Sequence, residues 1–279
     1  MSGPPARHRI AGLLGAYAGL AVVAACALFP ILWALSGSLK TEAEISAPIL
    51  LPAHPQFSNY LEVFDRMPFA RMLVNTVLYA GAITVGQVFF CSLAGYAFAR
   101  LPFTGRDTVF VVYLATLMVP VTVTVIPQFI VMRVFGWTDT VWAMIIPGVF
   151  GSAFGTYLMR QFFATLPVDL EEAAILDGCS PWTIYWRILL PHAKPAVLVL
   201  AVLTWINVWN DFLWPLLMIQ TKSIATLTLG LVWMQGEYVA DWPVLMAASM
   251  LMLAPLIVIY TFVQRAFVSG IASTGFGGR

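Results

Sequence analysis

Two stretches of this chain hold the side chains able to do chemistry, and both suit recognition better than bond-making. In the first, 166–195, Asp169, Glu171, Glu172 and Asp177 precede Gly178, and Trp182, Tyr185, Trp186, Leu190 and Pro191 follow. The second is an apolar run whose polar interruptions are Thr204, Asn207, Asn210 and Asp211, with Trp214 close behind. Hydroxyls, amides and carboxylates form hydrogen bonds, and indole rings offer flat apolar faces. Nothing comparable points to catalysis. Nucleotide hydrolysis needs a glycine-rich phosphate cradle ending in Gly-Lys. The three lysines, Lys40, Lys194 and Lys222, instead follow Leu, Ala and Thr. His8, His54 and His192 are too scattered for paired zinc-ligand spacing, and Cys26, Cys91 and Cys179 make neither a metal set nor a disulfide framework. Neither G-x-S-x-G nor H-E-x-x-H occurs. The sequence predicts no catalytic residue, no metal site and no cofactor bound by this chain.

The elements that position these residues lie in a membrane. Of 279 residues, 61% are hydrophobic and 10% charged, with a mean hydropathy of +0.88. A soluble chain is roughly 45–50% apolar and about 25% charged, so an ordinary soluble domain is excluded. A net charge of +1 offers no field for nucleic acid. Apolar runs at 10–33, 72–98, 109–132, 141–163, 197–219 and 242–263 each approach the length a bilayer requires. None alternates with a period of two, so the expected fold is all-α, with six transmembrane helices in a single domain over 1–279. The first run follows Arg7, His8 and Arg9 but is too long for a signal peptide and lacks a clear cleavage site, so it reads as a retained helix.

Orientation follows from the short loops. With both termini cytoplasmic, the inner side holds Arg7, Arg9, Arg100, Arg106, Arg160, Arg187, Lys194, Arg265 and Arg279. The outer side holds Lys40, Arg66, Arg71, Arg133 and Lys222, together with Glu42, Glu44, Glu62, Asp65, Asp139, Glu237 and Asp241. Two loops exceed what a connection needs. The outer one, 38–71, carries Pro48, Pro52, Pro55 and Pro68 and reads as turns or extended chain. The inner one is 166–195.

That inner loop reads as two short helices joined at Gly178. Asp169 is expected to cap the first, Glu171 and Glu172 suit its first turn, and Gly178 permits a left-handed turn. Pro181 opens the second helix, along which Trp182, Tyr185, Trp186 and Leu189 recur at helical spacing. Such a hairpin either docks into a partner or lies against the membrane interface, where Trp and Tyr are also at home. Physics alone leaves both open.

The residues Glu172-Ala173-Ala174, Asp177-Gly178 and Ile188-x-Leu190-Pro191 resemble the EAA loop of ABC-importer permeases. Further segments resemble the carbohydrate-uptake branch, in its maltose-system G-type subunit. They are Pro30 through Ser38-Leu39-Lys40, the stretch from Ala94-Gly95-Tyr96 to Arg100, and Trp209-Asn210-Asp211-Phe212-Leu213-Trp214-Pro215. The likeness runs from about residue 10 to the end. It implies a multi-pass protein of the prokaryotic cytoplasmic membrane that moves a mono- or oligosaccharide. It also implies partners: membrane lipids, a second homologous permease, an ABC ATPase dimer that holds ATP and Mg, and an extracytoplasmic solute-binding protein. Carried over by position, Glu171, Glu172, Ala173, Ala174, Asp177, Gly178, Leu190 and Pro191 form the coupling loop, and Glu172 pairs with a basic residue of the ATPase. Cys179 stands where the family usually has Ala, and the tail Gly275-Phe276-Gly277-Gly278 lacks the family's common Lys.

In the fifth run Thr204, Asn207, Asp211 and Trp214 fall at i, i+3, i+7 and i+10, with Asn210 adjacent, and a continuous helix would put them roughly on one face. That face lines a path or glues helices together; the residues allow both. Met118, Pro120, Pro127 and Gln128 mark the third run as a kinked helix able to flex during gating, with core packing a second role open to Met118. Importers of sn-glycerol 3-phosphate share this branch and are the alternative substrate reading, although no Arg or Lys lies mid-run. A self-sufficient secondary transporter is the alternative from another class. Inverted repeats and paired broken helices would mark it, and the sequence displays neither.

Overall fold

The computed structural model describes the backbone of residues 6–237 and 241–275, and side chains at 13, 15–236, 241–261 and 264. The side chain of Glu237 and the tail after Gly275 lie outside the described residues. Apolar runs cannot leave backbone N–H and C=O groups unpaired in hydrocarbon, and every regular element described is helical. Two compact units divide the chain: Met1–Met67 with Leu231–Pro255, and Pro68–Gly230 with Leu256–Arg279.

The first unit opens with α1 (Ala6–Gly37), followed by α2 (Glu42–Ile45) and α3 (Ser58–Arg66). The outer-loop prolines stay outside helices as expected, but the loop is ordered by its polar residues rather than merely extended. Thr41 and Glu44 form a reciprocal capping box on α2, with Glu44 N donating to Thr41 Oγ1 at 3.3 Å and Thr41 N to Glu44 Oε2 at 3.0 Å. Asn59 Nδ2 donates to the carbonyls of Ser38 and Lys40, each at 2.9 Å. Lys40 is buried, with its ammonium 5.0 Å from the Trp33 ring centroid and bonded to the Ile49 carbonyl.

The second unit is built around α4 (Phe69–Arg100), against which pack α7 (Val141–Val149), α8 (Ala153–Thr165) and α11 (Lys194–Trp209). Glycines permit the close approach. A Cβ on Gly95 would lie 2.6 Å from Met159 Cβ and 2.8 Å from the Arg160 nitrogen; one on Gly86 would lie 2.5 Å from the Val149 carbonyl oxygen. Between α4 and α7 come α5 (Arg106–Ala115) and α6 (Val121–Val134). After α8 come α9 (Asp169–Leu176) and α10 (Pro181–His192), the latter π-helical over Ile184–Leu189. Beyond α11 are α12 (Leu213–Met218), α13 (Leu227–Glu237) and α14 (Trp242–Gly275).

Among the described residues four helices are long and apolar enough to cross a membrane, or up to six spans if each of two bent pairs counts as one. Counted so, the six expected spans are present and the third is bent as its prolines predict; the departure is that two of them are broken helices, which the sequence does not display. The third run turns by 97° between Met118 and Val121, at Pro120, which cannot donate a helical hydrogen bond. Met118 is 83% exposed and packs in no core. The fifth run meets α10 at 78° and its helix stops at Trp209, ten residues short of the expected 219. The cause is local. Continuing the helix would require residue 215 to donate to the Asp211 carbonyl, and residue 215 is proline; the Thr228 hydroxyl takes that carbonyl instead, at 2.7 Å.

Candidate functional site

The hairpin of α9 and α10 is fixed by its own sequence. Val168, not Asp169, is the N-cap residue of α9 and makes no side-chain cap bond. Asp169 sits inside the first turn with Glu171 and Glu172, where three carboxylates complement the helix dipole. The C-terminus closes with Gly178 N donating to Ile175 O and Cys179 N to Ala174 O, both at 2.9 Å, while Gly178 takes φ +77°. This paired closure needs a left-handed residue at that position. Ser180 then caps α10, accepting from Thr183 N at 3.3 Å, with Pro181 next.

Helical spacing put four residues of α10 on one face; the structure splits them. Tyr185 and Leu189 are fully buried, and Tyr185 Oη lies 2.8 Å from Ser92 Oγ of α4. Trp182 and Trp186 are half-exposed, with rings stacked at 6.0 Å. The π-helical winding of Ile184–Leu189, marked by the Leu190 N–H donating to Tyr185 O, rotates successive residues away from α-helical phase. On α9, Glu172, Ala173 and Asp177 are exposed, as are Gly178 and, on α10, Pro191; Leu190 is half-buried. Ala174 turns inward, 4% exposed, among Tyr96, Phe163 and Tyr185. Glu171 also turns inward, toward Arg100. Sequence reasoning passed over Ile175 and Leu176, 60% and 88% exposed on the outer face; two adjacent apolar residues beside an acidic turn were the available signal.

The second set surrounds a cavity of about 760 Å³ inside the second unit. Thr204 and Asn207 reach it from α11, Asp211 from the break after that helix, and Trp214 from α12. The four converge although no single helix carries them. Asn210 does not line it; its amide donates to the Ile206 carbonyl at 2.8 Å, one turn back. Trp214 is held by Nε1 donating to Ala143 O at 2.9 Å. Tyr79 and Gln87 of α4, Gln128 of α6 and Ser152 add to the polar lining, and Gln87 Nε2 donates to the Gly148 carbonyl at 2.8 Å. Of these four, sequence reasoning singled out only Gln128. An amide at position 87 within an otherwise apolar run was a signal not used.

One more feature fixes the segment bearing Trp214. Asp139, at φ +57°, accepts from Gln220 N and Thr221 N at 2.9 Å through Oδ1, and from Thr221 Oγ1 at 2.6 Å through Oδ2. Its own amide donates to the Met218 carbonyl at 2.7 Å. Among the described residues no group of three His, Cys, Asp or Glu is placed to hold a metal ion.

Apolar helices around a cavity lined by hydrogen-bonding side chains define a polytopic membrane protein. The family of binding-protein-dependent transport system inner membrane components matches residues 91–273, and the chain belongs to it. It is 33% identical over 256 residues to the arabinooligosaccharides transport system permease protein AraQ of Bacillus subtilis, covering 90% of this chain and 91% of that protein. It is 35% identical over 266 residues to the sn-glycerol-3-phosphate transport system permease protein UgpE of Escherichia coli, covering 92% and 93%. The sulfoquinovosyl glycerol transport system permease protein SmoH of Agrobacterium fabrum is 32% identical over 90% of this chain and 89% of that protein. A crystal structure of a bacterial ABC transporter involved in the import of the acidic polysaccharide alginate superposes with a TM-score of 0.81 at 27% identity, covering 96% of this chain and 100% of that one. The chain is therefore the multi-pass permease component of a bacterial ABC importer, located in the inner membrane.

Proposed function

We propose that this permease passes a neutral carbohydrate, mono- or oligosaccharide, through the cavity bounded by Thr204, Asn207, Asp211 and Trp214. The observation that carries this reading is the cavity's chemistry. Its lining offers hydroxyl, amide and carboxylate partners for sugar hydroxyls and indole and phenol faces for stacking, while among the described residues none that lines it is Lys, Arg or His. A volume of about 760 Å³ also falls within the roughly 300–1,000 Å³ of small-molecule sites. An anion crossing beside Asp211 would meet a carboxylate and no countercharge. The likeness to an sn-glycerol 3-phosphate permease favours the second reading, in which an anion is selected before it reaches this chain.

In the same reading, the α9–α10 hairpin is the coupling loop, seated on an ABC ATPase dimer that carries ATP and Mg. Glu172, Ala173, Asp177, Gly178 and Pro191 lie at the contact, Ile175 and Leu176 enter its apolar part, and Glu171, Ala174 and Leu190 support it from beneath. A second permease completes the path, and an extracytoplasmic binding protein delivers the sugar. Uptake by the reconstituted importer tests the substrate assignment. A labelled neutral oligosaccharide should accumulate and sn-glycerol 3-phosphate should not compete, and Asn207→Ala with Trp214→Ala should lower sugar uptake without changing the binding protein's affinity. Uptake of the phosphate ester alone would remove the carbohydrate assignment.

A further inference from the structure

Arg100 ends α4, and its guanidinium reaches three places at once. Nη2 donates to the carbonyls of Phe163, in the last turn of α8, at 2.7 Å, and of Leu166, the residue that caps that helix, and Nε donates to Phe163 O at 3.2 Å. Nη1 lies 3.6 Å from Glu171 Oε2 on α9. One turn earlier on α4, Tyr96 Oη is 3.4 Å from Glu171 Oε1 and 3.3 Å from the Pro181 carbonyl at the head of α10. The Arg100 and Glu171 side chains are only 8% and 13% exposed. Glu172, the next residue, faces outward.

We propose that Arg100 is the positioning residue that ties the α9–α10 hairpin to helices α4 and α8, with Glu171 as its counterpart, so that Glu171 acts within the chain and Glu172 toward the ATPase. This rests on the hairpin being the ATPase contact and adds how movement of the hairpin reaches the transmembrane helices. A guanidinium is a rigid planar fork that can hold two carbonyls and a carboxylate in fixed relation; an ammonium on a flexible stem cannot. Displacing α9 therefore shifts Glu171, and through Arg100 the ends of both helices. The α4–α8 pair has a second clasp that survives loss of Arg100. Arg160 of α8 donates to the Phe98 carbonyl of α4 at 3.3 Å and stacks 4.2 Å from the Phe110 ring centroid.

The test uses the whole importer, reconstituted in vesicles with its ATPase, second permease and binding protein. Glu171→Gln, nearly isosteric, and Arg100→Lys should both retain the ATPase on purification and retain basal hydrolysis. Stimulation of hydrolysis by sugar-loaded binding protein, and uptake with it, should fall about tenfold, as loss of a largely buried ion pair or of its guanidinium fork allows. Glu172→Gln should instead release the ATPase. A Glu171→Gln importer that loses its ATPase as Glu172→Gln does would make Glu171 a docking residue and overturn the proposal. Normal stimulation in both Glu171→Gln and Arg100→Lys would overturn it equally. Cross-linking from Leu176→Cys to the ATPase separates this outcome from failure of the parent reading. An intact cross-link with normal stimulation removes the proposal alone; an absent cross-link removes the docking reading and the proposal with it.

Discussion

Two glycines carry the residue-scale argument, and they are needed for different reasons. Gly178 sits at φ +77° with nothing of this chain within 4 Å of a would-be Cβ, so within the chain only backbone strain opposes a side chain there. Asparagine tolerates that left-handed region and valine does not. Gly178→Val should therefore cost about 1–3 kcal/mol of local strain and cut ATP-driven uptake, whereas Gly178→Asn should transport nearly normally. Uptake and membrane insertion measured for both variants check this, and equal loss in the two would show that bulk rather than φ matters. Gly95 is the opposite case: its helix is unstrained, but a Cβ would meet backbone of α8 at 2.8 Å. Gly95→Val should lower the thermal stability of the detergent-purified protein, since overpacking a close contact costs about 1–3 kcal/mol. A melting temperature equal to that of the unaltered protein would show that α4 and α8 separate easily.

Between elements, the decisive contacts are few and polar. Asp139 holds the α6–α7 connection to the segment after α12. The Thr221 hydroxyl, assisted by the Gln220 and Thr221 amides, keeps its carboxyl below the usual carboxylate range. A carboxyl whose folded pKa is depressed stabilises the fold above its unfolded pKa, and that contribution disappears as pH falls through the folded value. Acidification below the ordinary aspartate range of about 4 should thus loosen 218–221 from 139, with little change between pH 6 and 8. Hydrogen exchange at the Gln220 and Thr221 amides reads this directly. Asp139→Ala should show the fast exchange at neutral pH that the unaltered protein shows only in acid. The break between α11 and α12 obeys similar logic. Thr228→Val removes the donor to the Asp211 carbonyl and should reduce uptake by the importer by disturbing the approach of Asp211 and Trp214 to the cavity; undisturbed uptake would show that Pro215 alone shapes the break.

For the whole molecule, the division of labour between subunits is the claim to test. The chain lacks a phosphate cradle, so the purified permease alone should hydrolyse no ATP above background, as a phosphate-release assay would establish. Orientation is tested from both sides of the membrane. A single cysteine at Glu237 should react with an impermeant reagent from outside, and one at Leu176 only from inside; the reverse pattern would invert the topology.

Apolar runs too long and too poorly charged for a soluble surface determined, from sequence alone, that this is a helical membrane protein. The turn chemistry of 166–195 determined a hairpin, because glycine, proline and capping residues act within a few positions of themselves. The motif in that loop was specific enough to name its family. What periodicity could not decide was which side chains meet. It placed Thr204, Asn207, Asp211 and Trp214 on one face of a continuous helix; they do meet, yet the helix ends at Trp209. Their convergence is achieved by a break beside which Pro215 withholds a helical hydrogen bond, and by contacts to Ala143 and Thr228, far along the chain. Neighbouring Glu171 and Glu172 are alike in sequence, and only the arrival of Arg100 and Tyr96 from α4 turns one inward and leaves the other exposed. Local geometry is set by adjacent residues, whereas burial and pairing depend on groups brought close in space from distant positions, and those only the tertiary structure could supply.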